Sequence, residues 1–386
     1  MPVPFAVYVH VPFCARRCGY CDFNTYVAGP QARAAFARQA VKELELAAAE
    51  LDRTRQAGRT ASSVFFGGGT PTLLGPATLV KLYDAVRRVF GVAPGAEVTA
   101  EANPDSIDEG GLAELAAGGF NRVSFGMQSA LPQVLARLDR THDPERVALV
   151  VAAAGRAGLE ASVDLIYGTP GESLADWEAS VRAALALGVD HISAYALTLE
   201  PHTPMARRVR AGELGPIDPD DQADKYELAD ELLTGGGLSW YEISNWARPG
   251  HESRHNLGYW TGADWLGIGP GAHSSIGARR FWNVKSPAVY GRTIAAGRLP
   301  RAGGETLDAA ASQLERVMLR LRTAAGLELA ALSPDGLAAV PQLVADGLVR
   351  VAAGPGADRA GAGGGVVLTR RGRLLADLVV RALTSR

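Results

Sequence analysis

The 386-residue sequence has only three cysteines, no surplus of charge of either sign and no long apolar run. Its 39 Lys and Arg nearly balance its 41 Asp and Glu, so the formal net charge is −2. That balance excludes a global basic field that would attract nucleic acid. A membrane-spanning helix needs about 18 consecutive apolar residues, and the first residues lack the basic and apolar segments of a signal peptide. These absences predict a soluble, cytoplasmic protein, with peripheral membrane contact left open.

The three cysteines, Cys14, Cys18 and Cys21, lie close together near the start of the chain. Three thiolates supply one ligand fewer than a tetrahedral zinc site or a fully ligated four-iron cluster requires. Sparse cysteines without obvious partners also fit a reducing compartment. We interpret them as the ligands of a [4Fe-4S] cluster with one open coordination position.

Two alternatives to the cluster stay open on these residues alone. Structural zinc would need a fourth ligand, for which His10 is the nearest candidate. The alternating run Phe5–Val11 reads as a buried strand, so the His10 imidazole would have to bend back over Pro12. A disulfide framework is a poor use of an odd number of tightly spaced cysteines.

Strand-like and helix-like segments alternate over about the first 250 residues, which predicts a parallel sheet covered by helices. The arrangement is a full or partial barrel or an open sheet. The predicted strands are Ala6–Val11, Ser63–Phe66, Glu97–Glu101, Arg122–Phe125, Ser162–Ile166 and His191–Leu197. The predicted helices are Ala32–Leu51, Ala77–Phe90, Ile107–Ala117, Pro144–Ala157 and Ala175–Leu187.

Polar residues follow the predicted strands at or just beyond their carboxyl ends. They are Cys14–Cys21, Gly67–Thr70, Glu101–Asn103, Gln128 and Asp164. In barrel enzymes that face carries the chemistry, because separate strands converge there. The repeated placement therefore favours a barrel.

The pattern changes after about residue 200, where regular alternation ends. A hairpin and flanking helices near the C-terminus indicate a winged-helix-like α+β module. Arg370, Arg371 and Arg373 form a small basic patch in it, but the overall charge balance gives no support to DNA binding. A loop is predicted over Pro201–Asp221 and a strand at Ser239–Ile243. The predicted helices are Gln222–Leu233, Ala309–Leu321, Ala339–Asp346 with Pro341 in its first turn, and a final helix from Arg371 to Leu383. The predicted hairpin pairs Leu348–Ala353 with Gly365–Thr369 across the flexible stretch Gly354–Gly364.

Several residues near the strand ends have side chains suited to a charged cofactor. The glycines of Gly67–Pro71 allow close approach of the backbone and positive φ. Glu101 and Asp164 suit an ammonium group or ribose hydroxyls, and Gln128 can both donate and accept hydrogen bonds. Arg140 can pair with a carboxylate in bidentate fashion.

The Cys-x3-Cys-x2-Cys spacing resembles that of the radical S-adenosylmethionine superfamily. The resemblance implies that the open iron binds the amine and carboxylate of S-adenosylmethionine. It also implies a partial (β/α)6 TIM-like barrel over residues 1–240, a family-specific extension over 241–300 and the winged-helix-like module over 301–386.

Further motifs narrow the resemblance to the oxygen-independent coproporphyrinogen III oxidase family. They are Tyr8–Cys14, Gly67–Pro71, Glu101–Pro104, Arg122–Ser129 and Asp164–Pro170. Carried over by position, the residues that would contact S-adenosylmethionine are Tyr8, Tyr20, Gly68, Gly69, Thr70 and Glu101. The resemblance implies that Gln128, Arg140 and Asp164 surround a second bound cofactor molecule.

Two departures separate this chain from the true oxidases, which have a fourth cysteine two residues after the third. Here Asp22, Phe23 and Asn24 follow Cys21, and the longer segment that precedes the first strand in the oxidases is missing. Both departures resemble the haem-chaperone subgroup of the family.

That subgroup also shows a His-Asn-x-x-Tyr-Trp motif, formed here by His255, Asn256, Tyr259 and Trp260. A histidine can ligate haem iron, and aromatic rings can pack on a porphyrin face. The resemblance implies a haem site at this motif. His251 and His273 are the competing ligands, whereas His10, His142, His191 and His202 fit structural or cluster-proximal roles.

The expected function is therefore that of a haem chaperone, which delivers haem to haem-requiring respiratory proteins. Oxidative decarboxylation of coproporphyrinogen III is the alternative, so the question of an enzyme stays open. Radical chemistry on another tetrapyrrole and a zinc-stabilised interaction protein are further readings. A homodimer is also left open.

Overall fold

Six parallel strands form the centre of the molecule in the computed structural model, which describes residues 3–53, 58–352 and 364–384. They lie side by side in chain order, β1 to β6, and the helices between them cover the outer face. The elements are β1 (Phe5–Val11), α1 (Pro30–Arg53), β2 (Ala61–Gly68), α2 (Pro76–Phe90), β3 (Val92–Ala102), α3 (Glu109–Ala117), β4 (Arg122–Gln128), α4 (Pro132–Arg137), α5 (Pro144–Arg156), β5 (Glu160–Tyr167), α6 (Leu174–Ala186) and β6 (His191–Ala196).

The central strands place apolar side chains toward the helices and polar side chains toward the interior of the barrel. In β4, Val123 and Phe125 are fully buried in the main core, while Arg122, Ser124 and Gly126 line a cavity on the other face. Successive side chains of a strand point to opposite faces, so one strand serves both purposes. The predicted parallel sheet with covering helices is confirmed.

Helix starts follow local chemistry that is readable in the sequence. Ser173 caps α6 by accepting from the Asp176 N–H at 3.1 Å, while the Asp176 carboxylate accepts the Ser173 N–H at 3.0 Å. This reciprocal arrangement satisfies two backbone donors at the helix end. Proline stands at the start of α2, α4 and α5, where its missing N–H has no cost.

Two extensions widen the parallel sheet to twelve strands. Strand β9 pairs in parallel with β1 and is followed outward by antiparallel β10, β11 and β12. Beyond β6 lie antiparallel β8 and β7. The elements are α7 (Pro204–Arg210), α8 (Pro219–Gly235), β7 (Ser239–Glu242), β8 (Asn245–Ala247), α9 (Arg254–Thr261), β9 (Asp264–Ile268), β10 (His273–Ile276), β11 (Arg279–Asn283), α10 (Pro287–Ala295) and β12 (Arg301–Thr306).

The C-terminal part has its own apolar core around a three-stranded antiparallel sheet. The predicted hairpin is confirmed over its described residues, and its predicted flexible connection lies outside them up to residue 363. The winged-helix assignment and the three domain boundaries stay predictions. The elements are α11 (Ala309–Arg320), β13 (Leu327–Glu328), α12 (Pro334–Ala345), β14 (Val349–Ala352), β15 (Gly365–Leu368), α13 (Arg370–Leu374) and α14 (Ala376–Thr384).

Three of the predicted segments were wrong in detail. Helix α12 begins five residues early, because Ser333 caps it through the Gly336 N–H and Pro334 takes the first position. Pro341 therefore lies inside the helix, on its exposed side. The predicted last helix is interrupted at Leu375, and the predicted loop after residue 200 contains α7.

The small basic cluster of the C-terminal part is used within the fold. Arg373 donates to both carboxylate oxygens of Asp230 at 2.8 and 2.9 Å, and Arg370 donates to the same carboxylate at 2.7 Å. Asp230 also accepts the Trp246 indole N–H at 2.9 Å. These contacts fasten the C-terminal part to α8, which withdraws two of the three arginines from any nucleic acid.

Within the described ranges, every helix is too short or too polar to cross a membrane.

Candidate cofactor site

A cavity of about 800 Å³ occupies the interior of the barrel and opens at the carboxyl ends of its strands. Volumes in this range hold cofactors and small ligands. The structure brings together on its wall nearly all of the residues predicted as sites. They are Tyr8, Cys14, Cys18, Tyr20, Cys21, Gly68, Gly69, Thr70, Glu101, Gln128, Arg140, Asp164, His255, Asn256 and Tyr259.

The cysteine loop follows β1 and is closed at its base by backbone hydrogen bonds. The Tyr26 N–H donates to the Pro12 carbonyl at 2.7 Å, and the Cys14 N–H donates to the Tyr26 carbonyl at 3.1 Å. All three thiols are free and half-buried at the mouth of the cavity. The loop therefore presents its sulfur atoms to one shared space.

The surroundings of the thiols set their protonation. Burial raises the pKa of Cys14, although a hydrogen bond from Thr70 acts in the opposite direction. Burial likewise raises the pKa of Cys21, opposed by a backbone N–H donated by Phe23. The Arg140 guanidinium lies 3.8 Å from the Cys18 sulfur. A bound metal would favour the thiolate forms of Cys14 and Cys21, which burial alone disfavours.

The zinc alternative is not favoured by the position of His10. Its Nδ1 is 3.0 Å from the Tyr8 hydroxyl, and its Nε2 is 3.0 Å from the Asn24 carbonyl oxygen. Both ring nitrogens are therefore engaged inside the sheet.

The glycine turn after β2 lies against the cysteine loop. The Gly69 N–H donates to the Val11 carbonyl at 2.8 Å, and the Thr70 N–H donates to the Phe13 carbonyl at 2.7 Å. A Cβ on Gly69 would lie 2.4 Å from the Phe13 carbonyl oxygen, so no other residue fits without a shift. Gly68 has φ of 108°, in the region that favours glycine.

Glu101 links the glycine turn to the cavity. Its Oε2 accepts the Gly68 N–H at 3.0 Å. Desolvation, with a smaller contribution from the charge of Asp164, raises the pKa of Glu101 to about 8. A carboxyl held this way gains most from an incoming cation, because a positive charge favours the ionised form.

Asp164 lies inside β5 and faces the same space. It accepts from the Ser124 hydroxyl at 3.0 Å. Burial raises the pKa of Asp164, and hydrogen bonds from Ser193 and Ser124 counteract part of the rise. Two carboxyl groups with raised pKa values in one cavity mark it as a candidate functional site.

Gln128 ends β4 in a strained turn. Its φ is 64°, and the Ser129 N–H donates to the Met127 carbonyl at 2.8 Å across it. This geometry is that of a γ-turn with positive φ, which is rare for a residue with a side chain. Strain of this kind concentrates at ligand sites. Nearby, Arg140 is held in place by donating to the Gly126 carbonyl at 2.7 Å.

Helix α9, which carries the His-Asn-x-x-Tyr-Trp motif, closes the amino end of the barrel. The Glu97 carboxylate accepts the backbone N–H of Arg254 and of His255, both at 2.9 Å. Arg122 donates to the His251 carbonyl just before the helix at 3.0 Å. The motif is thereby tied to β3 and β4.

His255 has no ring nitrogen free in this arrangement. Its Nδ1 lies 2.9 Å from the Ser63 hydroxyl and its Nε2 lies 3.0 Å from the Tyr259 hydroxyl. The ring stacks on Phe65 with centroids 5.0 Å apart. Burial lowers the pKa of His255 to about 3. A haem ligand at His255 stays a prediction, and this geometry does not favour it.

The other residues of the motif also help helix α9 to close the amino end of the barrel. Asn256 donates to the Glu242 carboxylate at 2.9 Å, and Tyr259 packs edge-on against Trp265 at 4.8 Å. Trp260 is half-buried on the same helix, outside the cavity lining.

Glu97 and Arg122, which hold helix α9 at the amino end of the barrel, were not identified as site residues from the sequence. Both are buried, and an Arg122 Nη1 lies 3.7 Å from Glu97 and 3.6 Å from Glu160. A charge inside a strand that is otherwise apolar is uncommon unless it is paired. Both charged residues belong to predicted strands, so the sequence itself could have marked them.

Comparisons with known proteins agree with this geometry. Residues 8–184 match the model of the Radical SAM superfamily. The chain has a TM-score of 0.81 to coproporphyrinogen III oxidase (HemN) from Escherichia coli, with 24% identity and coverage of 99% of this chain and 90% of that chain. This likeness shows the fold. Together, the barrel, the cysteine loop and the family match define a radical S-adenosylmethionine domain.

Sequence relatives are more specific. The heme chaperone HemW of Mycobacterium tuberculosis is 50% identical over 98% of this chain and 95% of that protein. The heme chaperone HemW of Synechocystis is 37% identical over 86% of this chain and 81% of that protein. The chain belongs to the HemW family.

Proposed function

We propose that this chain is a haem chaperone that also holds a [4Fe-4S] cluster and S-adenosylmethionine. The observation that carries the proposal is near-full-length similarity to heme chaperones in a chain whose three cysteines meet at one cavity. The recipients are haem-requiring respiratory proteins. A cytoplasmic site of action fits the three free cysteines.

The residues at the cavity mouth fit a cluster with one open position. Cys14, Cys18 and Cys21 would hold three irons, and each thiol is half-buried and free of other covalent partners. A fourth protein thiolate is absent from the sequence beyond them. Such a cluster would supply, when bound and reduced by an external electron donor, the electron for cleavage of a carbon–sulfur bond of S-adenosylmethionine.

Other residues of the wall suit the parts of S-adenosylmethionine. Glu101 and the backbone of Gly68 and Gly69 would bind its ammonium group, while Thr70 borders the same pocket. Tyr8 and Tyr20 provide aromatic surface near the cysteines. The strained Gln128, with Arg140 and Asp164, lines the opposite wall and would bind further polar groups of the same or a second cofactor molecule.

Phe23 supports the chaperone over the oxidase. It replaces the fourth cysteine of the oxidase pattern, and its side chain is 60% exposed at the cavity mouth. An exposed phenyl ring gives apolar contact area to a flat ligand, whereas a thiol would not.

One experiment separates the two functions. The protein is reconstituted anaerobically with iron and sulfide, and then given haem, or coproporphyrinogen III with S-adenosylmethionine and a reductant. Stoichiometric haem uptake and transfer to an apo-acceptor without porphyrin turnover is the expected result. Formation of protoporphyrinogen would favour the oxidase instead. A zinc-containing, iron-free protein after reconstitution would overturn both.

A further inference from the structure

The histidines of the chain differ in whether a ring nitrogen is available to iron. A haem ligand must be accessible as well as unpartnered, and histidine is a common axial ligand. Four of the imidazoles are buried, and they belong to His10, His142, His191 and His255. His251 is half-buried, and its Nδ1 contacts the carboxylates of Glu160 and Asp190, an acidic setting that would repel the propionates of haem.

His202 and His273 remain, both exposed and without a ring hydrogen bond among the described residues. Their surroundings differ. His202 lies in the loop before α7, with Glu200 and Pro201 preceding it and Arg207 donating to its backbone carbonyl at 2.9 Å. That loop offers a carboxylate rather than an aromatic surface.

His273 lies beside the indole ring of Trp282, on neighbouring strands of the sheet. It is paired across the ladder with Trp282 of β11, and their rings stack with centroids 5.8 Å apart and planes 26° apart. Trp282 pairs in turn with Gly303 of β12. A Cβ on Gly303 would come within 2.6 Å of the indole, so glycine is what allows this ring to lie flat on the sheet.

Lys285 and the segment that follows the cysteines lie next to His273 and Trp282. The Lys285 side chain is exposed, and its backbone carbonyl accepts the Asn24 amide at 3.0 Å and the Tyr26 hydroxyl at 3.2 Å. Partial burial, followed by the charge of Lys285, lowers the pKa of His273. The imidazole is therefore kept in the neutral form that binds iron.

We propose that His273 is the axial ligand of haem, that the Trp282 ring stacked on this imidazole fixes its orientation and meets the macrocycle at its edge, and that Lys285 pairs with a propionate. This inference rests on the proposed haem binding. An axial imidazole stands perpendicular to the macrocycle, so the indole stacked on it would contact the apolar rim of haem rather than its face. Haem also has an iron at its centre and carboxylates on one side, which suit the imidazole and the Lys285 cation. Asn24 and Tyr26, which follow the cysteines, contact the backbone of Lys285. The proposed haem site and the cysteine loop are therefore joined by the same segment of chain.

The test titrates haem into the full-length protein and follows its absorbance spectrum. The His273→Ala variant is expected to weaken binding at least tenfold and to change the iron coordination signature. The His202→Ala variant, which removes the other exposed imidazole, should bind as the parent does. Normal spectrum and affinity in His273→Ala would overturn the proposal.

Replacing His273 with a different iron ligand distinguishes coordination from a structural role, because only a coordinating side chain changes the haem spectrum. His273→Tyr retains a side chain able to bind haem iron, and the expected result is haem uptake with the spectrum of phenolate coordination. Lys285→Glu should weaken binding several-fold with an unchanged coordination spectrum. If His273→Tyr shows the parent spectrum, the ligand is another residue. A parent protein that takes up no haem would instead refute the proposed function.

Discussion

The cysteine loop and helix α9 carry the two most informative motifs of the chain, yet the fold treats them in opposite ways. The loop leaves three thiols free at the mouth of the cavity. In α9, both ring nitrogens of His255 and the first backbone N–H groups already have partners. Groups without partners are available for a ligand, whereas a fully hydrogen-bonded motif stabilises the fold. The comparison predicts that the loop binds a ligand and that the helix closes the barrel.

The largest effect is expected from removing a thiol of the loop. Cys18→Ala leaves two ligands, which cannot hold the cluster, so iron content and iron–sulfur absorbance should fall nearly to zero after reconstitution. Because the thiol is half-buried in a loop outside the helices and strands, the far-ultraviolet circular dichroism should be unchanged. Arg17→Ala, an exposed change in the same loop, is the control and should keep its iron. A full cluster in Cys18→Ala would contradict the assignment.

A change in α9 should act on stability rather than on the cluster. His255→Ala removes two buried hydrogen bonds and a ring stacked on Phe65, and leaves Ser63 without its partner. We expect the free energy of unfolding in urea to fall by about 2–4 kcal/mol.

The exposed His273 is the matched control for this change, since His273→Ala should alter the free energy of unfolding by less than ~0.5 kcal/mol. If His255→Ala is as stable as the parent but binds no haem, the assignments of the two histidines must be exchanged.

The smallest effect on stability is expected for Glu101, whose side chain faces the cavity that the cysteine loop and helix α9 both line. Its pKa in the fold, about 8, lies above its ordinary value. The folded state therefore binds more protons than the unfolded state between these values, and stability falls as the pH rises through this window.

Replacing the carboxyl removes this pH dependence. Glu101→Gln should raise the melting temperature of the ligand-free protein by a few degrees at pH 9 and hardly at pH 5. The same variant should lose binding of S-adenosylmethionine, measured by calorimetry on the cluster-loaded protein. Asp164→Asn offers the companion change on the opposite wall. A melting temperature that is lower at pH 9 than the parent value would show that the ionised carboxylate stabilises the fold.

Much of the parallel sheet could be predicted because its strands are short segments with regularly placed apolar residues, bounded by glycine, proline and polar residues and separated by helix-like segments. The strand ends were also well placed, since Gly68 and Glu101 come where β2 and β3 finish. Strands β8 to β12 were missed because they are short, because β10 and β12 are mostly polar, and because β9 pairs with β1 from a distant part of the chain. Such long-range pairing leaves no periodic signal in the sequence.

Sequence alone determined that three thiolates, a glycine turn and a carboxylate would meet at the carboxyl ends of parallel strands. Local patterns suffice for that, because strand direction brings these ends together wherever the sheet is closed. Tertiary structure alone decided what the histidines do. Whether an imidazole is buried against Ser63 and Tyr259 or exposed beside Trp282 depends on contacts between segments far apart in the chain. The same residue type therefore closes a barrel at one position and is free to meet a ligand at another.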